Sequence, residues 1–150
     1  MKILSTNRKA YNDFEIIEKF EAGIVLKGSE VKSARRGSFN LKDSYCRVKN
    51  GELFLINSYI APYEQATYLN HEPKRTRKLL MHKKEIIKIH SKVKERGLTI
   101  IPLKVYLNER GIIKIEIALA KGKRKYEKKQ KLKEKAVKRE IDRYLKKKKF

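Results

Sequence analysis

The side chains that could perform covalent or metal chemistry are few and scattered. His71, His82 and His90 are the only histidines, and their spacings of 11 and 8 residues do not give the i, i+4 pair of a helical metal site. Cys46 is the only cysteine, which excludes an internal disulfide and a cysteine-based zinc module. The sequence therefore predicts no catalytic residue, no metal site and no cofactor. A barrel nuclease is the enzymatic alternative, and no clustered metal ligands support it.

The chemistry that the sequence does offer is binding to a polyanion. The chain carries 40 Lys and Arg against 17 Asp and Glu in 150 residues, a net charge of +23. Charge enrichment of the thermophile type is an alternative explanation, but it would raise the Glu content together with the Lys content. Here basic residues far outnumber acidic ones. Nucleic acid is the leading partner and an anionic membrane surface the second. Aromatic residues lie close to basic runs in the sequence: Tyr63 and Tyr68 precede the run 74–78, and Tyr126 lies within 123–129. Unpaired bases can stack on these rings while the basic side chains contact phosphates.

The excess charge is unevenly distributed along the chain. Residues 121–150 hold sixteen Lys and Arg against four Asp and Glu, whereas residues 1–120 hold twenty-four against thirteen. We therefore expect a folded RNA-binding domain over 1–120 and a basic tail over 121–150. The tail is predicted to be disordered when free and helical where RNA phosphates screen its lysines. The N-terminus lacks a signal-peptide apolar region, so a cytoplasmic protein is expected.

Two short helices are predicted in the first part of the chain, over 7–13 and 29–36. Asn7 and Ser29 are favoured as N-caps, because their side-chain oxygens can accept a hydrogen bond from the first helical turn. Gly37 suits the left-handed position that follows a helix.

Extended segments surround these helices. Residues 14–26 are predicted as a strand with a bulge or bend at Gly23. Residues 45–56 predict a hairpin, because the Asn50-Gly51 pair suits a type I′ turn, which needs positive φ at both positions.

The second half of the body alternates loop, helix and strands. Residues 61–78 predict a long surface loop, and 82–96 predict a helix with one apolar stripe. Strands are predicted over 98–107, with Pro102 at an edge or bulge, and over 112–119. The inward positions of the last strand are Ile113, Ile115, Ile117 and Leu119, and its outward positions are Lys114, Glu116 and Ala118. The predicted class is mainly β, a small antiparallel barrel with short flanking helices and one longer helix.

Six ordered segments carry a more specific signal. They are 7–10 (NRKA), 20–24 (FEAGI), 28–33 (GSEVKS), 41–45 (LKDSY), 77–83 (RKLLMHK) and 118–123 (ALAKGK). In this order they resemble the SsrA-binding protein family, also called small protein B. The resemblance implies an oligonucleotide-binding-like barrel that is not an enzyme. It also implies that the protein binds the tRNA-like domain of transfer-messenger RNA and takes it to stalled ribosomes for trans-translation, with elongation factor Tu in the delivery complex.

The resemblance assigns RNA binding to specific residues. Those important for transfer-messenger RNA fall on Glu21, Leu80 and Lys114. Lys114 can meet phosphate, Glu21 can accept hydrogen bonds from base or ribose donors or hold a basic side chain, and Leu80 can face a splayed base or anchor the helix. The predicted RNA-binding set is Asn7, Arg8, Glu21, Lys32, Arg35, Arg36, Arg75, Arg77, Lys78, Leu80 and Lys114.

The resemblance also predicts ribosomal contacts in the tail, with small-subunit rRNA, the decoding centre and the mRNA channel. The predicted residues are Gly122, Lys123, Tyr126, Glu127, Lys128 and Lys129. The family often has Asp-Lys-Arg where this chain has 127–129, so the bidentate fork of Arg is lost at 129. Two alternatives stay open: a general basic barrel RNA chaperone without a ribosomal role, and a ribosome-associated structural protein.

Overall fold

The computed structural model describes residues 1–65 and 70–122. Three helices and nine strands are defined there. The helices are α1 (Arg8–Asp13), α2 (Gly28–Arg35) and α3 (Lys83–Arg96). The strands are β1 (Lys2–Thr6), β2 (Phe14–Ile24), β3 (Phe39–Asn40), β4 (Tyr45–Lys49), β5 (Glu52–Ile56), β6 (Tyr59–Ile60), β7 (Arg77–Leu80), β8 (Thr99–Leu107) and β9 (Ile113–Gly122). Within the described ranges, no helix has the length and apolar character needed to cross a membrane.

The main sheet is antiparallel and closes on itself. Its strand order is β1-β8-β4-β5-β7-β2-β9, and an additional pairing of β8 with β9 joins the two sides. Six strands thus form a ring, with β1 added alongside β8, and β3 and β6 form a separate two-stranded sheet. Closure leaves the ring strands without open edges. The predicted mainly β architecture with short flanking helices is confirmed.

Alternation along β9 builds the interior of the barrel. Its inward side chains, Ile113, Ile115, Ile117 and Leu119, are all buried, as the period of two predicts. Ala118 faces outward as predicted, but it is buried. Ala118 and Ala120 lie on the outer face, where Ala10 of α1 and the β8 residues Ile101 and Leu103 form a second buried cluster with them. The outward residues nearer the start of the strand, Lys114 and Glu116, are half-buried.

The local helix signals were partly right. Asn7 caps α1, because its Oδ1 accepts a hydrogen bond from the Ala10 backbone N–H at 3.4 Å. The prediction of Ser29 as N-cap of α2 was wrong, since α2 begins earlier and Lys27 is the N-cap. There the Glu30 carboxylate accepts a hydrogen bond from the Lys27 backbone N–H at 2.7 Å. Gly37 follows the helix with φ of 83°, as predicted.

The turns and irregularities of the sheet follow the sequence at some positions. Asn50 and Gly51 have φ of 52° and 76°, which confirms the hairpin turn between β4 and β5. Register shifts occur between Ile16 and Glu18 and between Pro102 and Lys104. The second shift confirms the bulge beside the proline. At Gly23, where a bulge or bend is predicted, the register continues without a shift, so no bulge lies there.

The predicted loop 61–78 is shorter than expected, because Arg77 and Lys78 already belong to β7. Helix α3 follows as predicted, with Ile86 and Ile89 buried and Gly97 ending it at φ of 62°.

Candidate nucleic-acid interface

Glu21, Leu80 and Lys114 meet on one outer face of the barrel, although they lie on three different strands. Gly23 of β2 pairs with Leu80 of β7 on one side and with Lys114 of β9 on the other. Glu21 precedes Gly23 by two residues, so it lies on the same face. Glu21 is exposed, Leu80 is 51% exposed and Lys114 is half-buried. An acceptor, an apolar surface and a cation are thus available together at the surface.

Gly23 makes this meeting possible. A Cβ at position 23 would lie 3.3 Å from the Leu80 Cβ, closer than an ordinary van der Waals contact. The absence of a Cβ at position 23 therefore allows β2 and β7 to approach closely. It does not mark a bulge.

Tyr106 of β8 anchors the acidic member of the group. Its hydroxyl donates a hydrogen bond to Oε2 of Glu21, and its side chain is only 5% exposed. Burial raises the pKa of Tyr106 above its usual value, and the hydrogen bond to Glu21 and the charges of Glu21 and Glu116 raise it further. Tyr106 therefore stays a protonated donor under ordinary conditions, and it fixes one oxygen of the Glu21 carboxylate.

A second carboxylate stands beside Glu21. Glu116 is directly opposite Glu21 in the β2–β9 register, and its Oε1 is buried and has no hydrogen-bond partner among residues 1–65 and 70–122. Lys19 Nζ lies 3.9 Å from that oxygen. Two like charges in directly opposite positions destabilise a sheet, so the surrounding lysines and the Tyr106 hydroxyl have to offset them.

The outer face continues across β7, β5 and β4 as a mixed basic and aromatic surface. Lys78 pairs with Phe54, and Phe54 pairs in turn with Arg47. Lys78 Nζ lies 3.3 Å from Glu52 Oε1, a surface ion pair whose partners are each about half exposed. Such exposed pairs are weak, so Lys78 can exchange its carboxylate for a phosphate.

A second basic cluster lies on α2. The cationic groups of Lys32 and Arg36 lie 5.5 and 4.7 Å from the centre of the Tyr63 ring. Arg35 donates to the Gly111 backbone carbonyl at 2.9 Å, which fixes it on the barrel. All three basic residues are exposed. These residues belong to α2 and its C-terminal end, whereas β2, β7 and β9 build the Glu21 face. Both surfaces carry cations that suit phosphate.

Arg77, a member of the predicted RNA-binding set, is buried inside the protein instead of lying on its surface. It is fully buried, and its Nε donates to Oε2 of the equally buried Glu30 at 2.6 Å. Its other nitrogens donate to Ser58 and to the Pro73 carbonyl, each at 3.0 Å. Arg75 completes the cluster from the rim, 26% exposed, with Nη2 at 2.5 Å from Glu30 Oε1. Both arginines thus tie β7 and the preceding loop to α2.

The carboxyl group of Glu30 is kept charged in this cluster. Burial alone would raise its pKa, but hydrogen bonds from Arg75, the Lys27 backbone and Arg77 bring the pKa below its usual value. The buried charges of Glu30 and Arg77 therefore find their hydrogen-bond partners within the protein.

Asn7, another member of the predicted RNA-binding set, has a structural role in the fold. It is 7% exposed, and its Nδ2 donates to the Pro102 carbonyl at 2.9 Å while its Oδ1 caps α1. Its neighbour Arg8 is exposed. Gly122 ends β9 and pairs with Phe14, two residues past the predicted domain boundary. The predicted tail contacts Lys123, Tyr126, Glu127, Lys128 and Lys129 lie outside the described residues.

Sequence reasoning missed Tyr106 and Glu116 as parts of the site. The alternation of side chains along β8 and β9 was the available signal. It predicts the face of the sheet on which a side chain lies, but not the side chain that it contacts. Cys46 belongs to the hydrophobic core, and burial raises the pKa of its thiol well above the usual value. Among residues 1–65 and 70–122, no group of His, Cys, Asp and Glu is placed to hold a metal ion.

Comparison with known proteins identifies the family of this chain. A family model described as SmpB protein matches residues 4–147. An SsrA-binding protein from Thermosipho africanus is 54% identical over 146 residues, which cover 97% of this chain and 98% of that protein. Another from Persephonella marina is 60% identical over 146 residues, covering 97% and 95%.

A solved structure is similar in both sequence and fold. It is described as "tmRNA-SmpB: a journey to the center of the bacterial ribosome", and its matching chain is 52% identical with a TM-score of 0.69. The match covers 88% of this chain and 92% of that one. The chain described here therefore belongs to the SmpB family of SsrA-binding proteins.

Proposed function

We propose that this protein binds the tRNA-like domain of transfer-messenger RNA and delivers it to stalled ribosomes for trans-translation. The observation that carries the proposal is the meeting of Glu21, Leu80 and Lys114 around Gly23 on one exposed face. The similarity to SsrA-binding proteins over 97% of the chain supports the choice of RNA. The protein acts by binding and not by catalysis.

Each group on this face suits one part of a folded RNA. Lys114, with Lys78 farther along the same surface, neutralises phosphates and sets the electrostatic part of the affinity. Leu80 offers a 51% exposed apolar surface on which an unstacked base can lie. The unanchored oxygen of Glu21 accepts a hydrogen bond from a base amino group or a ribose hydroxyl, which a phosphate contact cannot replace.

The basic cluster on α2 and the tail give the protein further RNA-binding surfaces. We assign the exposed cations Lys32 and Arg36, arranged on the Tyr63 ring, to phosphate contacts. Residues 121–150, with a net charge of +12 from sixteen basic and four acidic residues, are assigned to the small ribosomal subunit, where Tyr126 stacks on a base. Delivery occurs in the cytoplasm, in a complex with elongation factor Tu.

The experiment that tests the proposal compares two RNAs of equal length. Gel shifts measure binding to the tRNA-like domain and to a length-matched hairpin at several salt concentrations. Roughly 5–8 phosphate contacts give a slope of log K against log salt near −4 to −7 for the tRNA-like domain. Equal affinity for the two RNAs would contradict the proposal and favour a general RNA chaperone.

A ribosome assay tests the delivery step separately. Stalled ribosomes supplied with transfer-messenger RNA should acquire the peptide tag only when this protein is added. Binding to the tRNA-like domain without tagging would restrict the proposal to RNA binding.

A further inference from the structure

We propose that Tyr106 is a positioning residue that keeps Glu21 and Lys114 apart, so that each contacts RNA separately. The inference rests on the proposed function, since it concerns the same outer face. It assigns a role to a tyrosine whose own side chain is almost fully buried.

The register places Tyr106 between the two charged groups. Tyr106 of β8 is directly opposite Lys114 of β9, and Glu21 of β2 is directly opposite Glu116 of the same strand. The Tyr106 hydroxyl nevertheless reaches Glu21 Oε2. The ring must therefore cross β9 on its outer face, between the positions of Lys114 and Glu116.

The charges around Glu21 explain why an anchor is needed. Its direct neighbour Glu116 repels it, whereas Lys114 is its diagonal neighbour across the same pair of strands. In the described part of the chain, Lys19 forms the ion pair with Glu116 and Lys104 is directly opposite Glu116 in the β8–β9 register, whereas Lys114 forms no ion pair. Without the Tyr106 hydroxyl, repulsion and attraction would both drive the Glu21 carboxylate toward Lys114. The resulting pair would remove one acceptor and one cation from the RNA-binding face.

Tyr106→Phe tests this role, because it removes the hydroxyl and keeps the ring that fills the surface. Releasing one long side chain from a fixed position lowers affinity for the tRNA-like domain by about 3- to 10-fold. Neutralising Lys114 also makes the slope of log K against log salt shallower by about 0.7–0.9.

The second variant separates positioning from a general structural effect. In Tyr106→Phe/Glu21→Gln, residue 21 is uncharged and can no longer neutralise Lys114. We expect the salt slope to return to the wild-type value while the affinity stays low, because the acceptor is still lost. A loosened barrel would give a shallow slope in both variants. Tyr59→Phe, which removes an exposed hydroxyl from the separate β3–β6 sheet, is the matched control and should match the wild type.

The outcomes are distinct. Wild-type affinity and slope in Tyr106→Phe would overturn the inference, and so would a shallow slope that persists in the double variant. A wild-type protein that does not prefer the tRNA-like domain over the hairpin would overturn the proposed function itself.

Discussion

Replacing Arg77 with methionine tests whether this arginine holds the fold or binds RNA. The substitution keeps a long apolar side chain in β7 but removes hydrogen bonds to Glu30, Ser58 and Pro73. Breaking a buried ion pair from one side costs about 3–5 kcal/mol. Since Glu30 keeps its contact with Arg75, we expect a loss near the lower end, about 3 kcal/mol. The free energy of unfolding of a typical domain is about 5–15 kcal/mol, so the variant should still fold at 25 °C.

Urea unfolding and RNA titration together give the answer. Arg77→Met should lower the free energy of unfolding and leave the RNA affinity and salt slope unchanged. Lys78→Met is the matched control, because it removes the same charge from the adjacent residue, whose side chain is 43% exposed. This control should leave stability within about 1 kcal/mol of the wild type and make the salt slope shallower by about 0.7–0.9. If Arg77→Met weakens RNA binding as much as Lys78→Met does, the structural assignment of Arg77 is refuted.

The pH dependence supplies an independent check. The pKa of Glu30 is lowered in the folded protein, so its contribution to stability is present above the usual carboxyl value of 4.5 and is lost as the pH falls through the folded value. The stability difference between wild type and Arg77→Met should therefore shrink below about pH 4. A difference that is constant from pH 7 to pH 3 would exclude the ion pair as its cause.

Three further predictions concern RNA and the tail. Lys114→Ala should weaken binding of the tRNA-like domain and make the salt slope shallower by about 0.7–0.9, whereas an unchanged slope in filter binding would remove Lys114 from the phosphate contacts. Glu21→Gln should also weaken binding, although it makes the protein more positive, and tighter binding in the same assay would count against a specific acceptor. Shuffling residues 123–150 at constant composition should leave RNA binding nearly intact and abolish tagging of stalled ribosomes, and full tagging would reduce the tail to a nonspecific anchor.

The sequence predicted those parts of the fold that depend on local chemistry. Asn50 and Gly51 specify their turn by tolerating positive φ, and the clean alternation of 112–119 predicts which side chains of β9 face inward, although not that Ala118 on the outer face is buried. Strands as short as β3 and β6, with two residues each, carry no periodicity and could not be predicted.

The candidate site was predicted less completely, because its residues depend on contacts between distant parts of the chain. Arg77 lies in a basic run that is typical of a solvated surface, and its partner Glu30 is 47 residues away on α2. The alternation within β7 separates buried Arg77 from half-buried Lys78, but it becomes readable only once the strand is known. Tyr106 and Glu21 are likewise 85 residues apart.

Strand β9 runs without a break from the proposed RNA-binding face, at Lys114, to Gly122, the residue before 123–150. Lys114 and Gly122 are eight residues apart, which corresponds to about 26 Å along an extended strand. Pairing with β2 at both positions prevents the strand from shortening or turning between them. Under the proposed function, the strand therefore sets a fixed distance between the bound RNA and the start of residues 123–150. Because the barrel fixes this distance, any partner that contacts both ends of the strand needs binding sites about 26 Å apart.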